Sequence, residues 1–161
     1  MSNTVKLRKG LDIKLVGEAE KLIVDAKAPQ SVALKPIDFH GLVPRVILKP
    51  GDTVKRGEVV FYDKYNEDIK FVSPVSGTLT EIVRGERRRI LEVRIEASWT
   101  DEVVKIEPVK IESLSRDEVK KILLENGLWP FIKQRPLDKV ANPEITPKAI
   151  FISAFDSSPL A

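Results

Sequence analysis

The chain has 161 residues with no cysteine and one histidine, and its 27 basic and 24 acidic side chains leave a net charge of only +3. The missing cysteines exclude disulfides, thiol nucleophiles and cysteine-ligated zinc or iron–sulfur sites. No apolar run reaches the roughly 18 residues of a membrane helix, and residues 1–9 have no apolar centre typical of a signal peptide. The small net charge permits an anionic partner without requiring one.

Residues 1–30 are predicted to form N-terminal strands that pack on the core. Leu11, Ile13 and Leu15 alternate with Asp12 and Lys14, and this period of two is typical of a half-buried strand. A second apolar group follows at residues 22–24.

Residues 31–99 are predicted to form a β-domain. Its short strands are expected at residues 32–34, 43–48, 59–62, 69–72, 78–83 and 90–95. Turns separate them, and residues 84–87 are expected to form the loop of the last hairpin. Short strands with turns every eight to twelve residues favour a small sandwich or barrel. Residues 48–77 in particular have the pattern of the core hairpin of a lipoyl/biotinyl-type domain, a barrel-sandwich hybrid.

The pattern changes after Trp99, and residues 100–161 are predicted to form a linker, a helix and the first strand of an α/β domain. Residues 103–106 are a last short strand or an extended linker. Ser115 and Glu118 form a capping box, and Asn126 with Gly127 provides a stop, so a helix of about ten residues is expected between them.

Residues 149–155 form an apolar run typical of a buried parallel strand. Such a strand needs a neighbouring parallel strand reached by a crossover, yet only six residues follow it. We therefore expect a Rossmann-like α/β domain that is truncated. The predicted fold class is α+β: a lipoyl/biotinyl-like barrel-sandwich hybrid followed by the helical start of that domain.

Lys64 is the residue to examine for a carrier function, because carrier domains of this type attach their cofactor to a lysine at the hairpin tip. Asp63 precedes it, but Pro74 comes ten positions after it, further than the carrier pattern allows. We therefore place the tip at residues 65–68 and predict that Lys64 is an unmodified lysine on its shoulder. Lys64 is rejected as a lipoyl or biotinyl site.

Taken together, the sequence resembles the NqrA subunit family of the bacterial Na⁺-translocating NADH:quinone oxidoreductase. The segments that carry the resemblance are residues 7–12, 49–57, 73–77, 84–88, 126–129, 135–136 and 150–156. Single pieces are weak, but their order and spacing over nearly the whole chain are fairly specific. The family's subunit is several times longer than the β-domain, which agrees with the expected truncation.

The resemblance implies a peripheral subunit on the cytoplasmic face of the bacterial inner membrane. The complex would transfer electrons from NADH to ubiquinone and export sodium, and this fragment would be non-catalytic by itself, with a role linked to quinone or to assembly. NAD, flavin, iron–sulfur and ubiquinone are implied for the whole complex, and no cofactor is expected in the fragment. Its partners would be the other subunits and, as a second candidate, ubiquinone.

Two groups of side chains are candidate partner contacts. They are the basic cluster Arg84, Arg87, Arg88 and Arg89 and the aromatic pair Trp129 and Phe131. A solvated loop is the default interpretation of the arginines, although guanidinium groups suit phosphates of a lipid headgroup or a nucleic acid. The aromatic pair is expected to cover an edge of the core. The α/β part of the family resembles flavin-binding subunits, but Gly127 alone does not make the glycine-rich loop that a flavin phosphate needs.

No catalytic or metal-ligating residue is predicted, and His40 is expected to be a loop residue. The main alternative function is a stand-alone biotinyl/lipoyl-type carrier or adaptor domain. A third, minor alternative is an OB-like nucleic-acid binder. The chain shows no signature of aromatic side chains that stack bases on a sheet, so no nucleic-acid partner is expected.

Overall fold

The computed structural model describes residues 16, 17, 20 and 22–153. Residues 28–146 form one compact unit, which contains all the strands and helices described below. A second unit takes in residues 1–27 and 147–161, and its described residues are 16, 17, 20, 22–27 and 147–153.

The larger unit is built mainly of strands. They are β1 (Ser31–Leu34), β2 (Pro44–Val46), β3 (Thr53–Val54), β4 (Val59–Asp63), β5 (Asn66–Val72), β6 (Gly77–Arg84), β7 (Ile90–Ala97), β8 (Lys133–Gln134) and β9 (Lys139–Val140). One α-helix, α1 (Arg116–Glu125), and short 3₁₀ turns at Pro36–Asp38, Glu86–Arg88, Ile111–Ser113 and Trp129–Phe131 complete the described elements.

Two antiparallel sheets make the sandwich. The first has the strand order β1-β7-β6-β3, and the second has the order β2-β4-β5. Strands β4 and β5 form one hairpin and β6 and β7 form the other, while β8 and β9 pair separately. The predicted β-domain strands are therefore confirmed, with β5 beginning three residues earlier than expected.

The core lies between the two sheets. Phe61 stacks on Phe71 with ring centroids 4.5 Å apart, and Phe39 meets Phe71 edge to face at 4.7 Å. From the other sheet, Leu79 and Val93 are fully buried. Offset and edge-to-face aromatic pairs stabilise a core beyond the area they bury, so both hairpins are fixed at their bases by apolar packing.

Helix α1 begins and ends as the sequence predicted. The Ser115 hydroxyl accepts a hydrogen bond from the Glu118 backbone N–H, and the Glu118 carboxylate accepts one from the Ser115 backbone N–H. The Ser115 hydroxyl also donates to the Glu118 carboxylate at 2.6 Å, and this hydrogen bond, together with that from the Ser115 backbone N–H, lowers the pKa of Glu118. After the C-cap Asn126, Gly127 has a φ of +67°, and a Cβ there would lie 2.6 Å from Val72 Cγ1. Glycine is needed at this position for both reasons.

The strand predicted at residues 149–155 is wrong for the part that the structure describes. Residues 149–153 form no strand, and Ile150, Phe151 and Ile152 are 76%, 93% and 86% exposed. Apolar composition favours burial, but a strand also needs a partner for its backbone groups, and no described strand pairs with this run. Ala154 and Phe155 lie outside the described residues.

The N-terminal strands predicted within residues 1–30 lie mostly outside the described residues. Of the second apolar group, Leu22, Ile23 and Val24 form no strand and are exposed. Residues 103–106 are an extended linker in which only Val103 makes a bridge, to Arg56.

Candidate functional site

The tip of the β4–β5 hairpin is a two-residue turn made of Lys64 and Tyr65, because Asp63 pairs with Asn66. The predicted tip at residues 65–68 is therefore wrong. Residues 66–68 are polar, yet they belong to β5, since strand pairing is made by backbone groups and an exposed strand end tolerates polar side chains. Lys64 lies at the tip itself, where carrier domains hold their cofactor lysine. Its rejection as a modification site stays a prediction.

Two hydrogen bonds from backbone N–H groups hold this tip in place. The Lys64 N–H donates to the Val43 carbonyl at 2.8 Å, and the Tyr65 N–H donates to Asp63 Oδ1 at 3.2 Å. The Lys64 side chain is exposed, and the Tyr65 side chain is 78% exposed. A lysine in this position is accessible to a modifying enzyme.

A cleft of about 480 Å³ lies on one side of the tip. Its lining residues are Asp63, Tyr65, Asn66 and Ile69 from the hairpin and Val140, Asn142 and Glu144 from the segment around β9. One side of the tip thus faces another part of the chain. Lys64 itself does not line this cleft.

The β6–β7 hairpin ends in the predicted basic cluster, which we call the arginine tip and define as residues 84–89. Its backbone is fixed by two hydrogen bonds, from Gly85 N–H to the Arg89 carbonyl at 2.8 Å and from Arg89 N–H to the Glu86 carbonyl at 3.1 Å. Arg87 and Arg88 have φ values of 53° and 61°. Two successive non-glycine residues in the left-handed region are strained.

The arginine tip carries unbalanced positive charge. Arg84, Arg87, Arg88 and Arg89 are exposed, and within the described part of the chain none of them lies within 4.0 Å of a carboxylate. The Arg84 guanidinium instead donates to the Arg88 carbonyl at 3.3 Å. These side chains are therefore available to an anionic ligand.

The same hairpin has paired charges further along its strands. Arg94 donates to Glu81 at 2.8 Å and to Glu92 at 2.9 Å, and Lys35 lies 3.6 Å from Glu92. The hydrogen bond from Arg94 lowers the pKa of Glu92, and the charges of Arg94 and Lys35 add to this. The same hydrogen bond, which Glu92 accepts, raises the pKa of Arg94. Lys35 and Arg94 on the sheet are thus paired with carboxylates, whereas the arginines of the tip are not paired with any carboxylate among the described residues.

The aromatic pair after α1 divides into two different environments. Trp129 packs against the core, and its indole N–H donates to the Ala141 carbonyl at 2.7 Å. Phe131 is 73% exposed. Trp129 thus covers an edge of the core, and Phe131 is the better candidate for a partner contact.

A hydroxyl cluster at the other end of the β6–β7 hairpin was not predicted. Ser76 Oγ donates to the Thr100 carbonyl at 2.8 Å, and Ser98 Oγ lies 3.0 Å from Thr100 Oγ1. Between them, Trp99 has a φ of +52° and donates its indole N–H to the Pro29 carbonyl at 2.9 Å. Ser76 is buried, and its hydroxyl has a hydrogen-bond partner. This cluster therefore stabilises the ends of β6 and β7.

His40 is exposed and contributes a backbone bridge to Lys139. Among the residues that the structure describes, no group of three or more His, Cys, Asp or Glu side chains is placed to hold a metal ion. Within the same residues, no helix has both the length and the apolar character needed to cross a membrane.

The fold and its hairpins define a barrel-sandwich hybrid of the lipoyl/biotinyl type, followed by the beginning of an α/β domain. Two family models match the chain in this order: the NqrA N-terminal barrel-sandwich hybrid domain over residues 5–98, and the NqrA second alpha/beta domain over residues 114–161. The chain belongs to the NqrA family. The fold class and the family resemblance predicted from the sequence are both confirmed.

Curated relatives agree with this assignment. The chain is 38% identical over 158 residues to the A subunit of the Na(+)-translocating NADH-quinone reductase of Marinomonas sp. strain MWYL1, covering 97% of this chain and 36% of the relative. It is 39% identical over 159 residues to the protein of the same name from Vibrio vulnificus strain YJ016, covering 98% of this chain and 36% of that protein. The chain thus spans about a third of the length of these relatives.

Proposed function

We propose that this chain is part of a peripheral NqrA subunit in a Na⁺-translocating NADH-quinone reductase. The observation that carries the proposal is the match of both family models, in order, to a chain that aligns with such subunits over 97% or more of its length. The complex would pass electrons from NADH to ubiquinone, coupled to sodium export. NAD, flavin, iron–sulfur and ubiquinone belong, in this proposal, to the whole complex.

The role we assign to the chain is that of a non-catalytic scaffold on the cytoplasmic face of the membrane. Its stacked Phe61 and Phe71 fix the sandwich. After α1, Leu128 and Phe131 are 50% and 73% exposed, and they lie on one tight turn in which the Phe131 N–H donates to the Leu128 carbonyl at 3.3 Å. Exposed apolar side chains that lie together mark protein contacts. The segment after α1 is therefore the part of the chain that we expect to meet other subunits.

Copurification tests this proposal. The chromosomally tagged protein is isolated from membranes in mild detergent, and we expect the other subunits and NADH:quinone reductase activity to come with it. Phe131→Ser should weaken their recovery, whereas Tyr65→Ser, which removes an equally exposed aromatic ring on a hairpin tip, should not. Recovery of the tagged protein without any NADH-oxidising partner would contradict the proposal.

Ubiquinone binding is a separate part of the proposal and needs a separate experiment. Photolabelling of the assembled complex with a ubiquinone analogue, followed by peptide mapping, shows whether the label falls within this chain. A label confined to other subunits would leave the chain with the assembly role alone.

A stand-alone carrier domain remains a second candidate function, and the position of Lys64 at the hairpin tip favours it. The intact mass of the protein from its native cell distinguishes the two. A lipoyl or biotinyl adduct that disappears in Lys64→Arg would establish the carrier, and an unmodified mass would agree with the scaffold.

A further inference from the structure

We propose that the arginine tip, residues 84–89, is a binding surface for the phosphate groups of an anionic lipid bilayer. It presents four arginines and one glutamate on an exposed loop. The guanidinium group is planar and binds phosphate through two parallel hydrogen bonds.

The loop is built to keep its charge exposed. In the part of the chain that the structure describes, the side chains of Arg87 and Arg88 make no hydrogen bond or ion pair. Both residues nevertheless hold a left-handed backbone conformation that asparagine or glycine adopts at lower cost. Strain of this kind persists where the surrounding structure imposes it, and it clusters at binding sites.

The composition of the tip selects a lipid surface over a macromolecule with a shaped interface. Residues 84–89 contain no aromatic and no aliphatic side chain larger than glycine. A base-specific or single-stranded nucleic-acid site needs aromatic stacking, and a protein interface needs an apolar centre. Attraction to an anionic bilayer needs only clustered cationic side chains close to the surface.

The contrast with the paired charges on the same hairpin strengthens the inference. Arg94 and Lys35 are neutralised by Glu81 and Glu92, so the sheet surface contributes little net field. Because screening limits the attraction to roughly 10 Å at 0.1 M salt, a bilayer senses an exposed loop whose arginines have no carboxylate partner among the described residues.

Vesicle cosedimentation of the purified chain tests the proposal. We expect binding to phosphatidylcholine vesicles that contain about one third phosphatidylglycerol, weak binding to phosphatidylcholine alone, and loss of binding as salt rises. Each arginine near the surface should contribute about fivefold to partitioning, so R87N/R88N should reduce it by about 25-fold. Asparagine is chosen because it tolerates positive φ.

Matched variants separate local charge from total charge. R87K/R88K keeps the charge and should retain most of the binding. K105Q/K110Q removes the same net charge from two exposed lysines, one in the extended linker and one shortly after it, and should bind as the wild type does. If R87N/R88N unfolds, R89Q replaces it as the test, because Arg89 lies outside the left-handed positions.

Four results would overturn the proposal. They are no binding of the wild type to anionic vesicles, equal binding to phosphatidylcholine alone, an equal loss in K105Q/K110Q, and full competition by single-stranded RNA at the same phosphate concentration. The last would make the tip a general polyanion site. The assay uses none of the other subunits, so its outcome is independent of the proposed role in the reductase.

Discussion

The two hairpins of the sandwich are alike at their bases and different at their tips. Both bases are held by buried side chains, such as Phe71 in β5 and Leu79 in β6. The β4–β5 hairpin closes in a two-residue turn beside a cleft, whereas the β6–β7 hairpin ends in an exposed, strained loop of arginines. The bases thus account for stability, and a binding role is to be sought at the tips.

The difference also shows why the position of a residue in a fold does not define its function. Lys64 has the position of a carrier lysine, but the chain beside it makes one wall of a cleft. The arginine tip has no counterpart in the carrier pattern. Of the two hairpin tips, however, it carries the larger excess of positive charge. Substitutions at base and tip of each hairpin test this division.

The largest effect is expected at the base of the β4–β5 hairpin. Phe71→Ala removes a ring that contacts both Phe61 and Phe39, and we expect it to lower the free energy of unfolding by about 3–5 kcal/mol. Tyr65→Ala at the tip should change it by less than about 0.5 kcal/mol. Urea unfolding followed by circular dichroism measures both. Similar losses in the two variants would contradict the division into base and tip.

A smaller effect is expected from two glycines of the β6–β7 hairpin. A Cβ on Gly77 would collide with the Glu96 backbone carbonyl, whereas a Cβ on Gly85 would meet only the end of the flexible Leu91 side chain. Gly77→Ala should therefore destabilise by about 2–3 kcal/mol, because the strand must shift. Gly85→Ala should cost less than about 1 kcal/mol. The two variants are compared by thermal and urea unfolding, and equal costs would show that the strands can separate at Gly77 without loss.

The parts of the fold that depend on neighbouring residues were predictable from the sequence. Ser115 and Glu118 cap α1 within one turn, and Gly127 ends it through its own backbone conformation. The β6–β7 hairpin likewise followed from two apolar runs joined by a short polar loop. In each case the signal and the structure it specifies lie within a few residues of one another.

The remaining features either carry no local signal or depend on residues far apart in the chain. Pairing of Asp63 with Asn66 puts Lys64 at the tip, although the side chains of residues 66–68 carry no strand pattern. The hydroxyl contact between Ser76 and Thr100 spans 24 positions and has no local signature. The four arginines were visible in the sequence, but only the packed sheet shows that they have no carboxylate partner among the described residues.

The strain in the arginine tip gives a third, smaller prediction. Arg88→Asn relieves a left-handed arginine and removes one of several like charges, so we expect it to stabilise the protein by about 0.5 kcal/mol. The part due to charge repulsion should shrink as salt is added. Lys105→Asn removes a charge from the extended linker and serves as the control, for which no gain is expected. Destabilisation by Arg88→Asn would mean that this side chain contributes to the fold of the loop.

The smallest effect concerns the paired charges below the tip. The hydrogen bond from Arg94 holds the folded-state pKa of Glu92 below its ordinary value of 4.5. A depressed carboxyl pKa contributes stability above the unfolded value, and this contribution is lost as the pH falls through the folded value. A carboxyl NMR titration should therefore show the midpoint of Glu92 rising toward 4.5 in Arg94→Gln.

The matching control for that titration lies on the other hairpin. Lys64→Gln removes a cation from a tip rather than from the paired sheet surface, so the midpoint of Glu92 should not change. If Arg94→Gln also left the midpoint unchanged, the charges on the sheet would not be coupled in solution. The contrast between unpaired charges at the arginine tip and paired charges on the sheet would then disappear. The electrostatic argument for a binding role of the tip would lose that support.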